Sequence, residues 1–592
     1  MEKRFLLGNE AIALAAIHSG IALASGYPGT PSTEIMEAIA NNKPNGLYVE
    51  WSTNEKAALE IAAGASYCGA RTIVTMKQVG LNVASDPLMS LAYVGVEGGM
   101  CIVVADDPGP ISSQTEQDTR TFGAYSKLPV LDPSSPEEAY HMTIFAFELS
   151  EKIKRPVILR PTTRVCHAYK SFDVFDYNNT IKKGTFVKDT ARWVIFPKAS
   201  YLNHIALEEL RFSLSDEFSK SSFNKHINNN QKIGIATNGI SYAYVNEALN
   251  GSNAYNLLKI GTPYPFPEKL AIEFLSNVSE VFIFEELDPY IERELLIIAG
   301  KYNLNVKIHG KLDKTNSLAG ENTPENIAKF LNIAETSNGL SIDIPLPVRP
   351  PSLCSGCPHR ASFYAVKQAM KGKNAIFNGD IGCYTLGNAM PLNMVDTCLC
   401  MGADITLAQG INKVDESAIC FSFIGDSTFF ASGLTGIVNA VYNKANITII
   451  VLDNSTTAMT GNQPHPGIPF TLSGDVAKAI SIPKVLEAVG LDEVITLSPF
   501  EQDKAIEAVK EISAKQGVKA IIFKAPCVFL SKAKAPYYIN EKCIKCNKCI
   551  REIGCPAIAF KNDKVVIDED MCNGCGLCKG LCPVKAINQR EV

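Results

Sequence analysis

The segment that decides the fold is SAICFSFIGDSTFFASGLTGIVNAVYNKANITIIVLDN, which runs from Ser417 to Asn454. Two apolar runs of strand length, SAICFSFIG and ITIIVLDN, flank a segment, SGLTGIVNAVYNKA, that predicts a helix. A strand, a helix and a second strand in this order predict a right-handed crossover between parallel strands. Asp426 directly follows the first run and Asn454 ends the second, so we expect both side chains at the carboxyl edge of one sheet.

These two polar side chains suggest a cation site. Protein oxygens together with substrate phosphates are the ligands that a hard cation such as Mg2+ takes. The helix, predicted to begin near Ser432, would offer its first amides to those phosphates. A Gly-Asp turn after one strand and an Asn at the end of another also arise by chance, so the residues alone leave both interpretations open.

A similar alternation of apolar strands and helices extends along most of the 592 residues. This order predicts an α/β protein with several doubly wound parallel sheets, followed by a small α+β domain. The predicted segments are an α/β domain at 1–180, a second at 181–340, a Pro-rich linker at 341–352, a third α/β domain at 353–530 and a cysteine-rich tail at 537–592.

Composition narrows the class of protein. The 56 basic and 61 acidic residues give a formal net charge of -5, which argues against nucleic acid or an anionic membrane as a partner. Asn9, Glu10 and His18 interrupt the apolar N-terminal stretch, and no run reaches about 18 apolar residues, so neither a secretory signal nor a membrane span is predicted. The 18 cysteines of such a chain favour free thiols or metal ligands over disulfides, and we expect a cytoplasmic protein.

Eight cysteines form two similar motifs in the tail. The first reads C-x2-C-x2-C-x5-C-P, with an enlarged last loop, and the second reads C-x2-C-x2-C-x3-C-P. Three closely spaced thiolates surround an iron-sulfur cubane, and in two-cluster ferredoxins the Cys before Pro ligates the other cluster. Zinc sites use pairs of Cys at longer separation, so two 4Fe-4S clusters are the preferred interpretation. The predicted ligand sets are Cys543, Cys546, Cys549 and Cys582 for one cluster and Cys572, Cys575, Cys578 and Cys555 for the other.

The chain from Gly425 onward also resembles a known cofactor motif. GDSTFFASGLTGIVNAVYNKANITIIVLDNSTTAMTGNQPHPG is similar to the thiamine diphosphate motif of the 2-oxoacid:ferredoxin oxidoreductases, and most similar to the large (alpha) subunit of indolepyruvate ferredoxin oxidoreductase. In that family the Asp, the Asn and the backbone carbonyl two residues after the Asn bind the metal. The resemblance therefore implies Asp426, Asn454 and Thr456 as Mg2+ ligands. It also implies Gly425 and Ser427 as cofactor contacts, with Ser427 in place of the second Gly of the general motif.

The N-terminal domain resembles the pyrimidine-binding domain of the same family. SGYPGTPST and NEKAALEIAAGASYCGAR carry this resemblance, and Glu55 stands in register with the Glu that hydrogen-bonds the aminopyrimidine ring. Glu55 is thus the implied catalytic residue, whereas the sequence alone describes only an acidic residue in the first turn of a helix. Three further residues are candidate substrate contacts, each with an ordinary alternative as a helix cap, a surface charge or a loop residue: Thr30, Arg120 and His465.

Four cysteines outside the tail leave two interpretations open. LCSGCPHR contains Cys354 and Cys357, GDIGC contains Cys383, and Cys527 follows the last apolar run. Relatives of the family that hold a cluster beside the cofactor use cysteines in similar contexts. The Pro-His pair after Cys357 departs from their pattern, and buried free thiols are common in protein cores, so structural thiols are preferred over a third cluster.

The resemblance covers the whole chain, with a transketolase-C-like middle domain and a ferredoxin-like tail, and it implies a function. That function is the thiamine-diphosphate-dependent, ferredoxin-linked oxidative decarboxylation of aryl pyruvates such as indolepyruvate to the aryl-acetyl-CoA, in aromatic amino acid catabolism. The implied cofactors and partners are thiamine diphosphate, Mg2+, two 4Fe-4S clusters, coenzyme A as co-substrate, a smaller beta subunit in an α2β2 heteromer, and ferredoxin. The alternatives are another oxoacid (pyruvate, 2-oxoglutarate or a branched-chain oxoacid) or an electron-transfer subunit with a vestigial thiamine site.

Overall fold

The computed structural model describes residues 2–175, 180–181, 183–333, 344–345 and 350–591. The chain forms two compact units, Met1–Ile342 and Asp343–Val592. Most of the predicted Pro-rich linker, 341–352, lies outside the described residues. In the part of the chain that is described, no helix is both long enough and apolar enough to cross a bilayer.

The first unit contains two sheets and one additional strand pair. Its strands are β1 (Glu2–Leu7), β2 (Leu23–Gly26), β3 (Tyr48–Trp51), β4 (Thr72–Lys77), β5 (Met100–Ala105), β6 (Val130–Leu131), β7 (Val157–Leu159), β8 (Tyr169–Val174), β9 (Lys225–Ile227), β10 (Ile233–Asn238), β11 (Asn256–Ile260), β12 (Glu280–Phe284) and β13 (Lys307–His309). One sheet has the order β3-β2-β4-β5-β7-β6 and is parallel throughout. The other has the order β13-β12-β10-β11-β9, with β9 antiparallel to its neighbour, while β1 pairs with β8.

Helices connect the strands of this unit, as the alternating sequence predicts. Strand β4 is buried on both faces, because helices cover both sides of the sheet, and this is why it reads as a continuous apolar run. The helices are Gly8–His18, Thr33–Asn41, Glu55–Tyr67, Gln78–Val83, Ser85–Val94, Thr119–Ser126, Pro136–Ile153, Thr163–His167, Thr190–Trp193, Pro197–Phe218, Gly239–Leu249, Glu268–Asn277, Tyr290–Lys301 and Pro324–Phe330.

Strand β11 was not predicted, and one charged residue explains why. Its sequence, NLLKI, is broken by Lys259, which hides the apolar pattern of a strand. In the structure Lys259 is only 1% exposed and forms an ion pair with Glu138. A buried charge is tolerated when it is paired, so a central strand can contain a lysine.

The second unit is built on a parallel sheet with the same strand order as the first. Its strands are β14 (Ala375–Gly379), β15 (Thr397–Cys398), β16 (Ile419–Gly425), β17 (Ile447–Asp453), β18 (Glu493–Leu497) and β19 (Val518–Lys524), in the order β15-β14-β16-β17-β19-β18. The helices around it are Pro358–Ala369, Ala403–Val414, Asp426–Thr428, Leu434–Tyr442, Ile482–Val489 and Gln502–Ser513, with short 3-10 turns at Cys383–Asn388 and Val528–Leu530. The strand order reverses at β14 and β16, and the carboxyl ends of strands at such a point commonly form a ligand site.

The tail forms a small α+β module within the second unit, as predicted. Two antiparallel pairs join β20 (Tyr537–Ile539) to β23 (Ile587–Gln589) and β21 (Ile558–Lys561) to β22 (Lys564–Ile567). Short helices lie at Lys548–Arg551 and Leu577–Leu581. The apolar core of the module includes Ala361 and Tyr364 from the helix Pro358–Ala369, so the tail packs directly on the parallel-sheet domain that precedes it.

Candidate functional site

The residues predicted to bind a cation lie at the carboxyl edge of the sheet in the second unit. Strands β16 and β17 are adjacent and parallel, with Gly425 opposite Leu452. Asp426 and Asn454 therefore follow neighbouring strand ends, as the sequence predicts. Both side chains are buried, and so is Thr456, the third predicted ligand residue.

Backbone amides fix the orientation of these side chains. The carboxylate of Asp426 accepts hydrogen bonds from the N–H of Ser427 at 2.9 Å and the N–H of Ser455 at 2.7 Å. The side-chain oxygen of Asn454 accepts one from the N–H of Thr456 at 3.2 Å. Buried and oriented oxygen donors beside the start of a helix suit Mg2+ and a diphosphate, so this set of residues fits the predicted group.

The helix at this edge begins earlier than predicted. It starts at Asp426–Thr428, passes through a π-helical turn at Phe429–Gly433 and continues at Leu434–Tyr442. The predicted start near Ser432 was wrong because the π turn disrupts the regular helical spacing on which that prediction rests. The first turn of the helix consequently lies directly beside the Asp426 carboxylate.

Two histidines contact the predicted cation ligands. Nε2 of His465 lies 3.2 Å from a carboxylate oxygen of Asp426, and the side chain of His465 is buried. His359, which was not predicted as a site residue, has its Nε2 at 3.3 Å from the side-chain nitrogen of Asn454. Burial lowers the pKa of His359 to about 4, so its ring is neutral and can accept that amide hydrogen. This contact orients the amide so that the Asn454 side-chain oxygen accepts from the Thr456 N–H.

A second buried acidic group at this edge also escaped prediction. Asp380 directly follows β14 and accepts hydrogen bonds from the Tyr384 hydroxyl and the Gly402 N–H, both at 2.9 Å. Burial raises the pKa of Asp380 to about 6. Asp404 is also buried, and the nearby charge of Asp380 adds to burial in raising its pKa. The sequence GDIGC contains Asp380, but only its Cys383 was predicted as a candidate ligand.

Glu55 is the buried acid of the first unit. It is 8% exposed and begins its helix, with the Asn54 side chain accepting a hydrogen bond from the Ala57 N–H at 2.9 Å. Burial raises the pKa of Glu55 to about 7, against an opposing effect from its own backbone amide and from Lys77. A Cβ atom at Gly80 would lie 2.5 Å from a Glu55 carboxylate oxygen, so this glycine makes room for the carboxyl. A carboxyl group with this pKa can exchange a proton near neutral pH.

Thr30 and Arg120, the two candidate substrate contacts of the first unit, differ in placement. Thr30 lies in the loop after β2, at the same carboxyl edge of the sheet where Glu55 begins the helix after β3. Arg120 is fully buried, and its guanidinium binds the carboxylates of Asp118 and Glu285. All three of its guanidinium nitrogens are engaged inside the fold, so Arg120 is not carried into the proposed site.

The eight tail cysteines line two cavities. Each cavity combines three cysteines of one motif with the last cysteine of the other, which is the predicted crossed arrangement. The larger, with about 440 Å3 of atom-free space that includes open solvent, has the tail cysteines Cys555, Cys572, Cys575 and Cys578 in its lining. The smaller, with about 330 Å3 of such space, is lined by Cys543, Cys546, Cys549 and Cys582. Among the described residues, no three Cys, His, Asp or Glu side chains converge closely enough for a single metal ion. Ligands spread around a cavity fit a cubane better than a mononuclear metal.

Crossed ligation predicts an unusual grouping of variants. Cys555→Ser is expected to remove the same cluster as Cys575→Ser and to spare the cluster that Cys546→Ser removes, because Cys555 shares a cavity with Cys575. Electron paramagnetic resonance of the dithionite-reduced variants measures this, with Cys68→Ser in the first unit as the control. A Cys555→Ser spectrum that matched Cys546→Ser would show uncrossed ligation.

Of the four remaining candidate cysteines, one adjoins the sheet edge and one lines the larger cavity. The backbone N–H of Cys527 donates to the Asn454 carbonyl at 2.9 Å, while Cys357 lines the larger cavity. Burial raises the pKa of Cys357 to about 12 and of Cys383 to about 11, and the nearby Cys354 thiol adds to both shifts. Iron analysis of the wild-type protein separates the two interpretations, with about eight iron atoms per chain for structural thiols and about twelve for a third cluster.

Comparison with family models gives three matches along the chain. Residues 14–208 match "Pyruvate flavodoxin/ferredoxin oxidoreductase, thiamine diP-bdg". Residues 380–523 match "Thiamine pyrophosphate enzyme, C-terminal TPP binding domain", a range that contains Asp426 and Asn454. Residues 565–588 match "4Fe-4S binding domain", which contains the second cysteine motif. Thiamine diphosphate binding and 4Fe-4S binding are therefore both properties of the matched families.

Similar curated proteins share almost the full length of the chain. Indolepyruvate oxidoreductase subunit IorA of Methanothermobacter thermautotrophicus is 42% identical over 99% of this chain and 97% of its own length. The proteins of the same name from Thermococcus kodakarensis and Archaeoglobus fulgidus are 40% and 38% identical over the same shares. The 2-oxoglutarate synthase subunit KorA of Methanocaldococcus jannaschii is 30% identical over only 28% of this chain and 48% of its own length.

Proposed function

Because the chain belongs to the family of indolepyruvate oxidoreductase IorA subunits, we propose that it catalyses the thiamine-diphosphate-dependent oxidative decarboxylation of indolepyruvate and similar aryl pyruvates. The product is the aryl-acetyl-CoA and the electron acceptor is a ferredoxin. The observation that carries the proposal is the convergence of Asp426 and Asn454 at adjacent strand ends beside a helix start, in a chain that also forms two cavities lined by the tail cysteines. Site and electron carrier then belong to one polypeptide.

Residues of the second unit would hold the diphosphate end of the cofactor. The Asp426 carboxylate, the Asn454 side-chain oxygen and the Thr456 carbonyl would bind Mg2+, and Gly425 and Ser427 would border the diphosphate. When bound, thiamine diphosphate supplies the carbon nucleophile and the electron sink that decarboxylation of a 2-oxoacid requires. The chain contributes orientation, because backbone amides already fix both Asp426 oxygens in the buried site.

Residues of the first unit would act on the aminopyrimidine and the substrate. The Glu55 carboxyl would hydrogen-bond a ring nitrogen and hold or release a proton there, which its pKa of about 7 permits. The hydroxyl of Thr30 would bind the carboxylate of the substrate. His465 of the second unit, whose Nε2 lies 3.2 Å from the Asp426 carboxylate, would be the other substrate contact.

The tail would hold two 4Fe-4S clusters in the crossed arrangement. Such clusters carry single electrons over a wide range of potentials. The cysteine cavities are built by short loops around the helices Lys548–Arg551 and Leu577–Leu581, and each cavity takes cysteines from both motifs. We propose further that the chain assembles with a smaller beta subunit into an α2β2 heteromer and that coenzyme A accepts the acyl group.

Substrate preference tests this proposal. Anaerobic assays with the partner subunit, thiamine diphosphate, Mg2+ and coenzyme A would follow ferredoxin or viologen reduction by indolepyruvate, phenylpyruvate, pyruvate and 2-oxoglutarate. We expect kcat/KM for the two aryl pyruvates to exceed that for the others by at least about 10-fold, which equals about 1.4 kcal/mol of transition-state binding. Efficient turnover of pyruvate with inactive aryl pyruvates would overturn the proposed substrate class.

A further inference from the structure

The two cavities of the tail have different surroundings. The larger one, which contains Cys555 and Cys575, is also lined by residues from the parallel-sheet domain, namely Ser355, Gly356, Cys357 and Arg360. Among the described residues, the smaller one, which contains Cys546 and Cys582, is lined only by the module itself, from Ile539 to Ile587. One of the two proposed clusters therefore adjoins the preceding domain, and the other does not.

Arg360 joins the two sides of the larger cavity. Its guanidinium donates through Nη1 to the carbonyls of Ile553 and Gly554, at 2.5 and 2.9 Å, on the side of the tail. Through Nη2 it donates to the carbonyl of Leu353, on the side of the parallel-sheet domain. A second contact across the same junction is neutral, with the Asn573 side chain donating to the Ser355 carbonyl at 2.7 Å.

The charge of Arg360 is buried without a carboxylate partner in its hydrogen bonds. The residue is 4% exposed, its bonds in the described part of the chain go to carbonyls, and its Nε has no hydrogen-bond partner there. Burial lowers the pKa of Arg360, while the thiols of Cys555, Cys357 and Cys575 act against that shift. A buried cation is unfavourable unless an anion compensates it, and a cubane bound by four thiolates is an anion.

The negative charge of such a cluster increases when it accepts an electron. One electron enters, no bond forms or breaks, and the added charge interacts with every fixed charge nearby. A buried cation beside the cavity therefore favours the reduced form, because local charge and hydrogen bonding set the potential of an iron-sulfur cluster. An exposed cation beside the smaller cavity, such as Lys548, would act more weakly through solvent.

We propose that Arg360 is a positioning residue that fixes the cluster of Cys555, Cys572, Cys575 and Cys578 against the segment Ser355–Arg360 and raises the reduction potential of that cluster. The electrons would come from the substrate oxidation proposed above or, in a test, from dithionite. This inference rests on the proposed clusters but not on the proposed substrate. It makes the cluster of the larger cavity the one that communicates with the thiamine-type domain.

A mediated redox titration of the full-length, cluster-loaded protein, followed by electron paramagnetic resonance, tests the role of Arg360. Arg360→Gln removes the charge and is expected to shift the reduction equilibrium of one cluster toward the oxidised form by at least about 10-fold, or about 59 mV for one electron. The second cluster should keep its potential. The signal is assigned by comparison with Cys575→Ser and Cys546→Ser.

Three further variants separate charge from packing. Arg360→Lys keeps the charge and should keep the potential, although it cannot reproduce the fork of hydrogen bonds. Lys367→Gln removes a cation from the same helix. The Lys367 ammonium donates to the Leu392 carbonyl at 2.8 Å and does not line the cavity. Asn573→Ala removes the neutral contact across the junction. Lys367→Gln should leave the potential unchanged, and Asn573→Ala, which alters the cavity lining without removing a charge, should shift it less than Arg360→Gln does.

Two results would overturn this role. The first is an unchanged potential in Arg360→Gln with both clusters present. The second applies if Arg360→Gln loses the cluster. In that case, an Arg360→Lys potential that is lower than wild type by about 59 mV would show that the charge does not set the cluster potential. Failure of the proposed clusters is distinct, because the wild-type protein would then contain no iron and show no cluster signal.

Discussion

Replacing Glu55 with Gln is expected to lower kcat by about 100-fold to 10,000-fold while leaving thiamine diphosphate and iron contents unchanged. Removal of a positioned proton-transfer group typically has an effect of this size. Gln has the same shape as Glu and fits into the space that Gly80 leaves open, but it cannot exchange a proton. Turnover with indolepyruvate, together with cofactor analysis of the purified protein, measures both quantities.

The matched control for this prediction is Glu60→Gln. Glu60 lies on the same helix, but its side chain is exposed and forms an ion pair with Lys56. Its replacement should leave kcat unchanged. If Glu55→Gln retained the wild-type rate, Glu55 would not be the catalytic carboxyl.

The pH dependence of stability gives a second readout for Glu55 that does not need activity. Burial raises its pKa from 4.5 to about 7, so the folded state holds the proton more tightly than the unfolded state does. The resulting stability is fully present below pH 4.5 and is lost as the pH rises through about 7, with a total of about 3 kcal/mol. Glu55→Gln has no titrating carboxyl at this position, so it does not lose this stability as the pH rises. Without cofactors, its Tm should therefore rise relative to wild type between pH 5 and 8, whereas parallel Tm curves would contradict the raised pKa.

Replacing Asp426 with Asn is expected to weaken binding of thiamine diphosphate in the presence of Mg2+ by at least about 100-fold. A buried Mg2+ site depends on a carboxylate, and about 2.8 kcal/mol of lost binding energy corresponds to this factor. Isothermal titration calorimetry with thiamine diphosphate and Mg2+ measures the change. The cluster spectrum should be retained, because the eight tail cysteines are elsewhere in the unit.

Asp415→Asn is the matched control for Asp426. Asp415 is exposed and precedes the amino end of β16, whereas Asp426 follows its carboxyl end. This variant should bind the cofactor normally. Wild-type affinity in Asp426→Asn would exclude the carboxylate as a metal ligand.

The family, the α/β fold class and the neighbouring placement of Asp426 and Asn454 were predicted from the sequence. That placement follows from consecutive parallel strands joined by one helix, so the two strand ends are fixed by local chain order. The crossed cysteine cavities could equally be predicted from the sequence, because all eight cysteines lie between Cys543 and Cys582 and their spacing is typical of two-cluster ferredoxins. The cysteine ligation and the roles of the site residues stay predictions until the variants are measured.

Other parts of the site could not be predicted, because they depend on contacts between distant segments. His359 reaches Asn454 from 95 residues away, and no pattern pairs a residue after a CxxC motif with a strand end. Arg120 was a candidate substrate contact because the sequence shows its charge but not its partner. That partner, Glu285, lies 165 residues later in the chain. The early helix start at Asp426 was hidden by the π turn, which no periodicity reveals.

The central claim is that oxidation of the substrate in the thiamine-dependent site delivers electrons to the clusters of the same chain. The most direct measurement is the electron paramagnetic resonance spectrum of the anaerobic complex, mixed with indolepyruvate, thiamine diphosphate, Mg2+ and coenzyme A but no external acceptor. The account predicts a reduced-cluster signal that depends on substrate in the wild type. In Glu55→Gln that signal should be absent, although dithionite still produces it. A wild-type complex with bound thiamine diphosphate and dithionite-reducible clusters that gave no signal with any aryl pyruvate would contradict the account.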